Sequence, residues 1–153
     1  MNKPQLLSIA VTLTLGAAYM LPAYAQVKPD VLVKQRQAAM TLQGKYFGPL
    51  AGMAQGKVPY DAKVVARNAS YLDVLDKMPW DGFAPATKGV KSQALPVVFS
   101  NTAKFTDAQT RLETEISKLA SVSKGGDESA VKAQIGAVGK ACAGCHDDFR
   151  EKK

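Results

Sequence analysis

The sequence predicts an all-α protein whose single domain is an antiparallel four-helix bundle. Four segments place apolar residues at the i, i+3, i+4, i+7 spacing of an amphipathic helix, and residues typical of turns or helix starts separate most of them. No segment shows the sustained alternation of apolar and polar residues that half-buried strands require. Four helices joined mostly by short turns favour an up-and-down bundle.

Residues 1–25 are predicted to be a cleaved secretory signal peptide. A single charge at Lys3 precedes an apolar run from Leu6 to Leu21, and the small-x-small sequence Ala23-Tyr24-Ala25 follows directly. A transmembrane anchor is the alternative, but the run is short for a span of about 20 residues. Residues 26–153 are therefore expected to form a periplasmic domain that has no membrane anchor after cleavage.

The first two helices are predicted from their start and stop signals. Pro29-Asp30 indicates the start of a helix that extends towards Gln55, with a kink at Gly48-Pro49 because proline lacks the amide hydrogen. Asp61 is the expected cap of a second helix, which Pro79 ends. The positions expected to face the core are Leu32, Ala39, Met40, Phe47 and Leu50 in the first helix, and Val64, Val65, Tyr71, Leu72, Leu75 and Met78 in the second.

A long loop and two further helices complete the predicted bundle. Residues 80–100 contain two glycines and two prolines and are expected to form the loop. Asn101 or Thr102 starts the third helix, Gly125-Gly126 ends it, and Asp127 starts the fourth. The expected core positions are Phe105, Ala108, Leu112, Ile116, Leu119 and Val122 in the third helix, and Val131, Ile135, Val138, Cys142, Cys145 and Phe149 in the fourth.

The charge of the chain is basic but dispersed. Without residues 1–25, which hold only Lys3, 19 basic and 13 acidic residues give a formal charge of +6. The lysines form no run, so the sequence indicates a solvated surface, or one that attracts an acidic protein partner, rather than a nucleic-acid interface. Export implies an oxidising compartment, in which two cysteines are expected to pair or to be consumed by chemistry.

The two cysteines lie in the sequence Cys142-Ala143-Gly144-Cys145-His146. Cysteines three residues apart on a helix project to the same side, so their sulfurs can bond to the two vinyl-derived carbons at one edge of a porphyrin, and the next residue lies beneath the iron. We therefore expect one covalently attached haem c per chain, with Cys142 and Cys145 as the attachment residues and His146 as the axial iron ligand.

Three other interpretations of the motif are less favoured. A thioredoxin-like pair belongs at the N-terminus of a helix after a strand, whereas this pair lies near the end of an all-helical chain. A structural zinc ion needs a fourth ligand, which here would have to be a carboxylate such as Asp147 or Asp148. A disulfide across so short a helical loop would be strained.

His146 is the only histidine in the sequence, so bis-histidine coordination within one chain is excluded. The sixth iron position must hold methionine, another weak ligand or nothing. The methionines outside residues 1–25 are Met40, Met53 and Met78. Met53 and Met78 are expected to fill the core, because methionine packs readily into irregular gaps.

An attachment motif at the end of a four-helix chain resembles the class II c-type cytochromes, above all the cytochrome c′ family. The matching segments are residues 36–40, 59–61, 78–80 with Phe83, and 139–150, and the sequence Leu95-Pro96-Val97-Val98-Phe99 continues the likeness. The resemblance implies a pentacoordinate haem whose apolar pocket admits nitric oxide or carbon monoxide, together with electron transfer to redox partner proteins. It also implies a homodimer through the first two helices.

The resemblance assigns roles to three further residues. Arg36 matches a position near the haem propionates, Arg150 one that flanks the histidine, and Met40 one that covers the distal face of the iron. For both arginines the alternative is a solvated surface charge. In low-spin relatives resembling cytochrome c-556, a methionine at the equivalent place binds the iron, so a His/Met electron carrier is the alternative function. A peroxidase-like enzyme is disfavoured, because neither a second histidine nor an obvious acid remains to assist oxygen chemistry.

Overall fold

A computed structural model describes residues 27–125 and 127–152 of the chain. They form the helices α1 (Pro29–Ala54), α2 (Ala62–Leu75), α3 (Val97–Ser100), α4 (Thr102–Val122) and α5 (Glu128–Phe149). None of these helices is long and apolar enough to cross a bilayer. The predicted signal peptide lies outside the described residues.

The four long helices form a closed ring of contacts. α1 packs against α2 and α5, and α4 packs against the same two helices. Short turns join α1 to α2 and α4 to α5, as in an antiparallel bundle. The predicted all-α four-helix bundle is confirmed.

The connection between α2 and α4 has more regular structure than a plain loop. It contains two 3₁₀ turns, Trp80–Phe83 and Pro85–Thr87, and the single turn of α3. Pro85 starts the second 3₁₀ turn and Pro96 is the N-cap of α3, where the fixed φ of proline is already helical. The prolines that predicted a loop therefore start short helical turns within it.

Side-chain caps begin three of the four long helices where the sequence predicted them. Asp61 accepts hydrogen bonds from the backbone N–H groups of Lys63 at 2.9 Å and Val64 at 3.1 Å. Asn101 caps α4, and Asp127 caps α5 through bonds of 2.7 and 3.4 Å. Each cap satisfies backbone donors that have no partner inside the helix.

The main core contains buried side chains from α1, α2, α4 and α5, including Met53, which is 7% exposed. Two predicted core positions were wrong: Tyr71 is 44% exposed and Met78 is 53% exposed. Because α2 ends at Leu75, Met78 lies in the following turn and not on the apolar stripe of the helix. Tyr71 packs at the surface against Tyr46, and the centroids of the two rings are 4.9 Å apart.

A buried carboxyl lies just after α2. The Asp76 side chain is fully buried, with Oδ2 3.4 Å from Lys77 Nζ, while Oδ1 has no hydrogen-bond partner among the described residues. Burial raises the pKa of Asp76 to about 6, although Lys77 opposes the shift. The folded protein therefore holds this proton more tightly than the unfolded chain does, and the free energy of unfolding falls as the pH rises from about 4 to about 6.

Asp76→Asn is expected to raise the free energy of unfolding by about 1–3 kcal/mol at pH 7, because it removes a carboxylate that is costly to bury. The gain should shrink below about pH 6 and be small near pH 4, where the wild-type carboxyl is protonated in the folded state and about half protonated in the unfolded chain. Urea unfolding of the haem-loaded protein between pH 4 and pH 8 measures it, with the exposed Asp107→Asn as control. An equal gain at pH 4 and pH 7 would contradict this origin.

Candidate haem site

A cavity of about 570 Å³ opens among α1, α4, α5 and the segment that follows α2. Its volume lies in the range of sites for small molecules and cofactors. Part of its wall belongs to the main core, and part belongs to a cluster of aromatic side chains. Apolar residues that line it include Leu72, Leu112, Ile116, Phe83, Phe105 and Phe149.

The last turns of α5 bring both cysteines to this cavity. Cys142 and Cys145 are half-buried, free and part of the cavity lining. Burial raises the pKa of both thiols, that of Cys145 to about 11. A thioredoxin-like pair needs a lowered thiol pKa, so these thiols do not have the properties of a disulfide-exchange site.

His146 follows the cysteines at the mouth of the cavity, where part of its side chain remains open to solvent. Its partial burial lowers the pKa of the imidazole, and the positive charge of Arg150 lowers that pKa further. The imidazole is therefore mostly neutral at pH 7. Neutral imidazole is the form that binds metals.

A buried cation from α1 reaches the same cavity. Arg36 is 5% exposed, and its Nη1 donates a hydrogen bond of 2.6 Å to the carbonyl of Gly82. Its guanidinium carbon lies 4.2 Å from the ring centroid of Phe83. Burial lowers the pKa of Arg36, and its further N–H groups suit a bidentate carboxylate. A solvated surface charge, the alternative for Arg36, does not describe this side chain.

Gly82 brings the 3₁₀ segment close to α1. The Gly82 carbonyl also accepts a hydrogen bond of 3.2 Å from the Thr87 hydroxyl. A Cβ atom at Gly82 would meet Arg36 Cβ and would lie 2.7 Å from the carbonyl oxygen of Leu32. Only glycine allows this close approach, which positions Phe83 beneath the guanidinium.

The cavity also has a buried donor without an acceptor. Trp80 lines it, and within the described part of the chain its buried Nε1 has no hydrogen-bond partner. A buried donor of this kind usually has a partner, and no described residue supplies one to Trp80. Haem has apolar ring faces and two carboxylates, and the apolar walls, Arg36, Trp80 and the two thiols together match that chemistry.

Arg150 also lines the cavity, although it is not part of α5. α5 ends at Phe149, and Arg150 has extended backbone angles, φ −124° and ψ 140°. Its position therefore depends on contacts outside the helix. Its Nε and Nη2 donate to Gln93 Oε1 at 3.2 and 2.7 Å.

The six site residues named from the sequence all line this one cavity: Arg36, Met40, Cys142, Cys145, His146 and Arg150. Trp80 and Phe83 line it too, whereas Tyr60, another aromatic near a helix end, packs against the main core. Gln93 was not anticipated, and its position in an irregular loop carried no signal. The buried Gln43 was detectable in principle, because a polar side chain on the apolar face of α1 is unusual.

Known proteins match this combination of fold and site. The profile of the Cytochrome C' family matches residues 31–150. The chain belongs to the cytochrome c′ family. Cytochrome c′ of Rubrivivax gelatinosus is 44% identical over 126 residues, which cover 82% of this chain and 98% of that relative. Haem c, attached covalently, is the cofactor of cytochrome c′ proteins and of this chain.

Solved cytochrome c′ structures have the same fold. The crystal structure of the R. gelatinosus protein matches with a TM-score of 0.77 and 42% identity, over 81% of this chain and 98% of that one. A ferrous variant of cytochrome c′ from Alcaligenes xylosoxidans with bound nitric oxide matches with a TM-score of 0.76 and 35% identity, over 83% of this chain and 98% of that one.

Proposed function

We propose that this protein is exported to the periplasm, where it binds nitric oxide or carbon monoxide at a five-coordinate haem iron and exchanges single electrons with redox partners. The observation that carries the proposal is that α5 presents Cys142, Cys145 and His146 to one apolar cavity, while α1 presents Met40 to the same cavity. When bound, the haem supplies an iron with an open coordination position and two accessible oxidation states.

In this proposal the residues of α5 attach the haem covalently and bind its iron. Cys142 and Cys145 would hold the haem through two thioether bonds. The three-residue spacing places both sulfurs on one side of the helix. His146, neutral at pH 7, would hold the iron through an imidazole nitrogen.

The residues of α1 and the aromatic cluster hold the ring and exclude water. Arg36 would hold a carboxylate of the ring, which gives this buried cation an anionic acceptor. The apolar lining makes an anion costly to bury, whereas a neutral diatomic molecule pays little. Met40 is a wall of the distal side in this proposal and not an iron ligand.

Electron transfer and pairing are further parts of the proposal. The formal charge of +6 favours an acidic redox partner, whose approach it would accelerate.

Exposed apolar side chains on α1 and α2, among them Leu42, Tyr71 and Val74, favour a homodimer through these helices. Light scattering of the haem protein tests the pairing, since Val74→Lys should yield monomers if the face is the interface.

The gas-binding proposal is tested by titrating the ferrous protein with carbon monoxide and nitric oxide. We expect both gases to bind, and Met40→Ala to raise carbon monoxide affinity about tenfold, because a crowded site costs on the order of 1–3 kcal/mol. Met78→Ala, at an exposed methionine, is the matched control and should change nothing. A ferrous protein that takes up neither gas would contradict the proposal.

A further inference from the structure

The end of α5 is tied to the loop that precedes α3 by backbone as well as side-chain contacts. The N–H of Leu95 donates to the carbonyl of Phe149 at 2.9 Å, and the N–H of Glu151 donates to the carbonyl of Gln93 at 2.8 Å. These bonds flank the isolated bridge between Ala94 and Arg150. The loop and the chain end therefore form one short antiparallel pairing next to the cavity.

Within this pairing one oxygen holds two donors of the same cation. Gln93 Oε1 accepts from both Nε and Nη2 of Arg150. Because Arg150 lies beyond the last helical residue, α5 alone does not fix its side chain. Gln93 is the residue that orients the guanidinium, and its neutral amide adds no charge of its own.

The oriented charge acts on the residue that is expected to hold the iron. Arg150 and His146 both line the cavity, and the backbone N–H of Arg150 donates to the carbonyl of His146 at 3.1 Å. A positive charge near a haem iron favours the ferrous state, which carries one positive charge fewer than the ferric state.

We propose that Gln93 is a positioning residue that holds the positive charge of Arg150 beside His146 and thereby raises the reduction potential of the haem iron. The inference rests on the proposed function, in which His146 binds the iron. Gln93, a loop residue 57 positions away from Arg150, would then control where the positive charge near His146 lies.

The test is spectroelectrochemistry of the haem-loaded protein. Gln93→Met keeps the length of the side chain but removes the acceptor, so the guanidinium turns towards solvent and the potential falls. At a fixed electrode potential the ferric-to-ferrous ratio should rise about threefold, as expected for a unit charge that moves away by a few ångströms. Gln93→Glu should also lower the potential, because its carboxylate cancels the charge while keeping the contact.

A double-mutant comparison separates positioning from a direct or structural effect. In an Arg150→Met background, Gln93→Met should leave the reduction potential unchanged. The control is Gln134→Met, the same substitution outside the cavity lining, which should not change the reduction potential with or without Arg150. Equal shifts with and without Arg150 would overturn the inference, as would no shift at all. The proposed function would survive either result if the ferrous protein still binds carbon monoxide, whereas a chain without haem would overturn both.

Discussion

Alanine at both Cys142 and Cys145 is expected to abolish covalent haem attachment, because these are the only two thiols in the sequence and both line the cavity. Mass spectrometry of the denatured, purified protein should give the mass of the polypeptide alone. Each single variant can form at most one thioether. The double variant should also unfold at lower urea concentration, since a cavity of about 570 Å³ loses the group that fills it.

The matched control for the cysteine variants is Gly144→Ala, between the two thiols. A Cβ atom at Gly144 meets no atom within 4 Å, so the helix tolerates it. This variant should retain the full haem mass and an unfolding midpoint close to that of the wild type. Haem that remained bound to the double variant through denaturation would contradict the assignment of the two cysteines.

Gly82→Ala is expected to lower the free energy of unfolding by about 2–4 kcal/mol, an effect on the scale of overpacking with backbone displacement. The new methyl group would meet Arg36 Cβ and would lie 2.7 Å from the carbonyl oxygen of Leu32. Both atoms belong to the rigid part of α1, so the 3₁₀ segment must move instead. Its movement would take the Gly82 carbonyl and the Phe83 ring away from the Arg36 guanidinium.

Urea unfolding measures the effect of Gly82→Ala, and Gly89→Ala is its control. Gly89 lies in the same connection, and a Cβ atom there meets nothing within 4 Å. The control should stay within about 0.5 kcal/mol of the wild type, as surface substitutions usually do. If both glycine variants lost the same small amount of stability, close packing at Gly82 would not be what holds this segment.

Local chemistry explains what the sequence could predict. Asp61, Asn101 and Asp127 were identifiable as helix starts because a capping side chain acts on backbone groups two or three residues away. The haem motif was identifiable for the same reason, since its geometry depends only on the turn of one helix. The buried stripes followed from the helical period, apart from Tyr71 and Met78 near the end of α2.

Contacts between distant segments explain what the sequence could not predict. The bond from Arg150 to Gln93 spans 57 positions, and the close approach of Gly82 to α1 has no local signature. The burial of Asp76 likewise depends on how α2 ends against its neighbours. Each of these features depends on contacts that only tertiary packing sets.

The coordination of the ferric iron tests the central claim most directly, because it decides whether Met40 is a wall or a ligand. Electron paramagnetic resonance of the oxidised wild-type protein should give a high-spin signal, with His146 as the one protein ligand, and Met40→Leu should leave the spin state unchanged. A low-spin wild-type signal that Met40→Leu converts to high spin would contradict the account and identify a His/Met electron carrier.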